Sequence, residues 1–294
     1  MNDRFSETHP LVNLIFFACA VLFSMFLMHP VCLIISLVCA LVYAVFTGGR
    51  RTVLFSLLFL LPSALLIMII NPLTNHRGAT ILRYLPWDNP LTLESIIYGA
   101  ASAAMLCAVV LWFSCVNRVM TSDKLVFLFG SVVPALSLVL SMALRFVPRF
   151  FARFREVRRA QGQFYSRNRS LAARFKGGLR VLSVMLSWSM ENAVETADSM
   201  KSRGYGLKGR SAFPRFCFHT FDFVLITVML LDAAALCLLI ALGLVRFRYY
   251  PFFRGNFTDG FSLLFYALYA LLLLTPMIFN AKEGIRWKLS QSKI

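Results

Sequence analysis

Acidic residues are scarce in this chain. Thirteen Asp and Glu stand against 30 Lys and Arg, and charged residues make up only 15% of the 294 positions. An ordinary soluble domain carries about 25%, so the deficit argues against a fully water-facing surface. The signatures of common chemistries are missing as well. There is no GxxxxGK(S/T) run, so residues 204–209 are not a phosphate-binding loop, and there is no HExxH or GxSxG. No two of the seven cysteines (Cys19, Cys32, Cys39, Cys107, Cys115, Cys217, Cys237) form a CxxC pair. They read as small apolar residues, neither a disulfide frame nor a zinc site. The four histidines, His9, His29, His76 and His219, are scattered outside or at the ends of apolar runs. The N-terminus lacks a basic stretch followed by a small-residue cleavage site, so no removable signal peptide is expected. Nothing activates a nucleophile or collects metal ligands, so the sequence points to no enzyme, cofactor or metal.

What is present is apolar length. Hydrophobic residues make up 59% and mean hydropathy is +0.72. The runs are bilayer-sized, since a spanning helix needs about 20 apolar residues. Leu11–Met28 and Val31–Phe46 are joined through His29-Pro30, and Gly48-Gly49-Arg50-Arg51 ends the second. Val53–Ile70 follows, then a polar stretch from Asn71 to Pro90, then Leu93–Val116. Phe221–Val245 and Phe261–Asn280 close the series. Leu125–Phe146 is apolar enough to cross, but crossing would put the basic block after it opposite Arg50-Arg51, Arg118 and Lys124. The positive-inside bias disfavours that, and Gly130 and Pro134 break the run, so it is expected to lie in the interface. The expected fold is an all-α polytopic membrane protein with about six transmembrane helices, both termini cytoplasmic, and two long cytoplasmic helices. Its parts are a four-span region (1–120), an interfacial segment (121–146), the helix pair (147–215) and two final spans (216–294).

The helix pair holds most of the charge. From Arg145 to Arg215 there are 16 basic and 4 acidic residues, a surplus of 12 out of the chain's +17. Such a block suits an anionic surface, an acidic partner or simply the cytoplasmic side; nucleic acid is not expected. Pro148 is expected to open the first helix, with Phe150, Phe154, Val157 and Phe164 at helical spacing among arginines. The second starts near Leu171. Leu179, Leu182, Leu186, Ala193, Ala197 and Met200 form its apolar face, with the small alanines allowing close helix approach. Glu191, Glu195 and Asp198 form an acidic stripe, and Gly204 and Gly206 end the helix. Arg203 then projects a forked donor that can grip a carboxylate; an ordinary basic helix end is the alternative.

One carboxylate stands inside a span. Asp232 lies near the middle of Phe221–Val245. An intramembrane carboxylate is costly and marks function by default. The competing expectation is a protonated side chain hydrogen-bonded inside the bundle.

The stretch Met142-Ala143-Leu144-Arg145-Phe146-Val147-Pro148, with Glu156 and Ala160-Gln161, resembles the start of the coupling region in the transmembrane T component of energy-coupling factor (ECF) transporters, the EcfT/CbiQ family. Ala197-Asp198-Ser199-Met200-Lys201-Ser202-Arg203-Gly204-Tyr205 is similar to the family's second Ala-Arg-Gly motif. Asn71-Pro72-Leu73 with Asn75-His76-Arg77-Gly78 resembles its loop after the third span, and Thr121-Ser122 the start of its interfacial segment. The resemblance covers about residues 70 to 205. It implies a non-catalytic scaffold in the cell membrane, joining two ATP-binding subunits, or a fused pair, to a membrane-embedded S component that selects a vitamin or transition-metal ion. It also implies that Ser202, Arg203 and Gly204 form one ATPase contact, with Arg203 pairing with a carboxylate, and that Arg159, Ala160 and Gln161 mark the other. Two departures stand out. Ser202 replaces the motif's alanine, and Gln163, Phe164 and Tyr165 stand where the first Ala-Arg-Gly belongs, with Arg159 or Arg167 as substitutes. The two contacts are therefore expected to be unequal. The rival readings are a stand-alone secondary transporter built on Asp232 and a lipid-binding membrane scaffold.

Overall fold

Proline and histidine set the first two long helices. The computed structural model describes residues 4–75, 78–84, 90–163, 171–207, 216–245, 247–253, 255 and 259–291. After a single turn, α1 (Arg4–Glu7), helix α2 (Pro10–Phe26) starts with proline at a position whose N–H would have no helical partner. The His9 ring accepts from the Leu11 N–H and caps it. Helix α3 (Pro30–Thr74) repeats the arrangement, with His29 accepting from Val31. It is interrupted at Gly49, which sits at φ +66°, a conformation that favours glycine. The rest is β1 (Ile81–Tyr84), β2 (Pro90–Thr92), α4 (Leu93–Val119), α5 (Ser122–Val132), α6 (Pro134–Gln163), α7 (Leu171–Ser202), α8 (Thr220–Ala241) and α9 (Gly260–Gln291).

The chain forms two compact units, residues 1–124 with 216–294, and residues 125–215. In the first, α3 and α4 make the most extensive helix pair. Ser95, Gly99, Ala103, Ala108 and Cys115 give α4 a buried edge of small residues, the pattern that lets membrane helices approach closely. A Cβ on Gly99 would stand 3.2 Å from the Asn71 Cβ and 3.3 Å from the Met68 carbonyl. Trp112 anchors the pair. It is fully buried, its Nε1 donates to Ser36 Oγ at 3.2 Å, and its ring meets Phe16 at 5.8 Å and Tyr43 at 6.2 Å. Ser36 Oγ also lies 2.6 Å from Ser24 Oγ, which lies 3.3 Å from the Tyr269 hydroxyl, so α2, α3, α4 and α9 share one buried polar chain. At the end of the unit where α2 finishes, Tyr249 donates to the Met28 carbonyl at 2.7 Å, and Asn75 donates to the Tyr250 hydroxyl at 3.1 Å.

Among the described residues, four helices are long and apolar enough to cross a membrane: Pro30–Gly49, Leu93–Val119, Thr220–Ala241 and Gly260–Ala281. Two apolar stretches are shorter, Pro10–Phe26 and Leu58–Thr74. An all-α membrane protein fits this pattern, and a count of six spans rests on the two shorter stretches.

Several expectations are corrected. Asn71-Pro72-Leu73 is not loop but the last turn of α3, which continues to Thr74. A small antiparallel pair, β1 with β2, follows within the stretch expected to be a polar loop. The split of Leu125–Phe146 agrees with the sequence: it falls at Val133, between α5 and α6, beside the expected break at Pro134. Pro148 does not open a helix: α6 begins at Pro134 and passes through Pro148. A helix already formed upstream can carry one proline at the cost of one hydrogen bond and some strain.

Candidate functional site

The second unit is built on α6 and α7, which pack on each other. Phe150 meets Trp188 with ring centroids 6.4 Å apart, and Phe154 and Val157 are half-buried, as their spacing suggested. The face that α7 buries is not the one expected. Val181 and Met185 are buried, and Trp188, Ser189, Asn192, Thr196 and Met200 half-buried. Leu179, Leu182, Leu186, Ala193 and Ala197 are exposed, so the alanines do not mediate the helix contact. Both sets recur every three to four residues, about 100° apart around the helix. With Phe175 and Met190, each more than 70% exposed, the second set gives α7 a long apolar strip outside the helix pair. Glu191, Glu195 and Asp198 occupy a third, exposed strip.

The end of α7 is a complete Schellman cap. The Gly204 N–H donates to the Lys201 carbonyl at 2.9 Å and the Tyr205 N–H to the Met200 carbonyl at 3.0 Å. These bonds satisfy two carbonyls that lack helical donors. Gly204 has φ +77° and Gly206 φ +93°, which explains glycine at both. A Cβ on Gly204 would also come within 3.1 Å of Leu207 Cδ1. Ser202 Oγ donates to the Ser199 carbonyl at 2.9 Å. Arg203, between the last helical residue and the turning glycine, is exposed and makes no ion pair among the described residues. Its side chain therefore leaves a fixed backbone at an exposed helix end.

The other predicted contact lies on the last turns of α6. Arg159 and Ala160 are exposed and Gln161 half-buried. The helix ends at Gln163; Phe164, Tyr165 and Arg167 lie outside the described residues, as do His76 and Arg77. Arg159 follows Phe150 by nine residues and Arg203 follows Trp188 by fifteen, about 14 and 22 Å along their helices. The two motifs thus sit on different helices, each well beyond the aromatic contact.

Asp232 is buried in α8, and both carboxylate oxygens lack a hydrogen-bond partner. Among the described residues, no side chain or backbone group supplies the bond that a packing role would use. No group of three metal-ligating side chains occurs among the described residues. At the far end of α3 a cleft of about 410 Å³ is lined by Ile67, Ile70, Asn71, Thr74, Asn75 and Tyr98.

Sequence reasoning missed a group of buried polar residues. Glu94 is almost fully buried and accepts from the Thr80 N–H at 3.2 Å, while a Cβ on Gly78 would clash with its carboxylate at 2.6 Å. That accounts for the glycine. Lys124, Asp222 and Asn280 are also buried. Sited at the margins of apolar runs, they read as surface charge or cap residues, and only long-range contacts show otherwise.

No family model matches the chain. Over 104 residues it is 36% identical to the energy-coupling factor transporter transmembrane protein EcfT of Bacillus selenitireducens, a stretch covering 34% of this chain. The match spans 38% of the length of that relative. The similarity supports the resemblance to ECF-transporter T components that the coupling-region residues carry.

Proposed function

We propose that this chain is the transmembrane T component of an ECF-type ABC importer in the cell membrane. It passes ATP-driven motion of two cytoplasmic ATPases, or a fused pair, to an S component that takes up a vitamin or a transition-metal ion. In this reading α6 and α7 are the coupling helices, both chain termini are cytoplasmic, and hydrolysis belongs to the partners. The observation that carries it is the end of α7. A rigid glycine cap presents the exposed Arg203, a fork suited to bidentate pairing with a carboxylate. Similarity to the Bacillus protein supports the same reading. Ser202 and Gly204 shape this contact, and Arg159, Ala160 and Gln161 form the weaker counterpart on α6.

Purification in mild detergent tests it. Stoichiometric ATP-binding subunits are expected with the unaltered chain. Arg203→Glu removes them, and Arg159→Glu weakens their retention less. An intact complex with Arg203→Glu overturns the assignment of the grip.

Asp232 favours a second reading, a secondary transporter acting alone, because a buried carboxylate without a partner is what a coupling site would need. Uptake by the chain without ATPases, abolished by Asp232→Asn, would establish it. Uptake that needs the ATPases and survives Asp232→Asn rejects it.

A further inference from the structure

The segment from Phe5 to Asn13 joins the two places where the chain leaves the first unit and returns to it. On the leaving side stands Lys124, the last residue before the second unit. The residue is 6% exposed, and its ammonium has three protons to place. It donates to the Ser6 carbonyl, to the Val119 carbonyl at 2.9 Å and to Asn13 Oδ1 at 2.9 Å. The Asn13 amide is oriented so that Nδ2 donates to the Phe5 carbonyl at 3.0 Å and to Thr8 Oγ1 at 3.1 Å.

On the returning side stands Asp222, in the first turn of α8 and 4% exposed. One oxygen accepts from the His219 N–H at 3.0 Å and the other from the His9 N–H at 3.5 Å. The His9 ring meets Phe218 edge-on at 5.0 Å. A third tie comes from α9, where Asn280 Oδ1 accepts from the Phe5 N–H at 3.2 Å. The Phe5 ring is fully buried against Phe16. Ser6 and His9 are three residues apart, at most about 11 Å of chain.

Apolar side chains would have sufficed to pack these helices. Instead three buried polar residues, Lys124, Asp222 and Asn280, converge on the backbone and polar atoms of one nine-residue segment that carries a fourth, Asn13. Buried polar groups are tolerated only when their bonds are made, so the ties favour a single arrangement and weaken together if one is lost.

We infer that residues 5–13 are a clasp, a conformational device that holds Lys124 and Asp222, which flank the 125–215 segment in the chain, in fixed places within the first unit. Under the function proposed above, on which this consequence rests, the clasp makes displacement of the coupling helices act on α2, α4 and α9 at once.

Hydrogen exchange of the full-length chain in detergent tests the clasp without ATPases, so its outcome is separate from the transporter reading. Lys124→Met is expected to speed exchange at 216–222, on the returning side, by at least about fivefold, the equivalent of one lost hydrogen bond. Amides in the middle of α4 stay unchanged. Asn280→Ala, a milder change, is expected to speed exchange at 119–124 to a similar degree, and Asn280→Asp, which keeps an acceptor for Phe5, restores it. Faster exchange confined to the neighbourhood of each substitution, or no rescue by Asn280→Asp, overturns the clasp.

Discussion

The two units use the same residue types to different ends. In the first, large side chains are consumed internally: Trp112, Tyr43, Phe16 and Tyr269 are buried, Trp112 and Tyr269 linked through the Ser36 and Ser24 hydroxyls and Phe16 and Tyr43 packed against Trp112. Exposed apolar residues such as Leu58, Phe59 and Leu231 lie on helices that are apolar all round, as a lipid environment allows. In the second, apolar residues are left outside helices that also carry a surplus of arginine. Phe151, Phe175, Leu182 and Met190 are all more than half exposed. A helix pair so incompletely covered draws little stability from its own packing, because most helical stability comes from burying an amphipathic face. The difference separates residues that hold the fold from residues available to partners.

Substitutions can break or sharpen that contrast. The largest effect is expected at Trp112→Ala, which removes a buried ring and its bond to Ser36 and should cost about 3–5 kcal/mol of stability in detergent unfolding. Met185→Ala, at the buried seam of α7, should cost less, about 2 kcal/mol, because its helix pair is thinly covered. Were the two equal, the units would be equally well packed and the contrast would fail. Gly204→Ala is expected to cost about 1 kcal/mol at its positive φ, seen as faster exchange at 200–207. Leu182→Ser, on the outer strip, should change stability by less than about 0.5 kcal/mol and reveal itself only when a partner is present.

The smallest effect concerns pH. Burial holds the His9 imidazole below its ordinary value, and nearby Asp222 only partly opposes this. The unfolded chain therefore takes up a proton near pH 6.5 while the folded chain resists, so stability is full above that pH and declines as pH falls below it. His9→Asn should remove that part of the pH dependence of the unfolding midpoint.

Much of this was legible in the sequence where one residue has few options. Proline at 10 and 30 starts helices, glycine at 49 breaks one, and glycine at 204 caps one. These are backbone constraints, and they act locally. Pro148 misled because its neighbours are good helix formers on both sides, and tolerance of proline depends on a helix already present. The face of α7 was misjudged because two apolar strips obey the same period, and only the Phe150–Trp188 contact selects between them. Lys124, Asp222 and Asn280 read only as local charge or caps, since the partner that explains the burial of each is a backbone atom far away in sequence.

The bond from the Phe5 N–H to Asn280 spans 275 positions. Synthesis adds about 5–20 residues per second, so the amide waits roughly 14–55 s for its acceptor to be made. Early helices can insert and pair during that time, but the N-terminal segment cannot reach its final place until α9 has been translated. Closure of this end is therefore a late event in biogenesis, and a nascent chain stalled before residue 280 should expose its first turn to proteases that spare the finished protein.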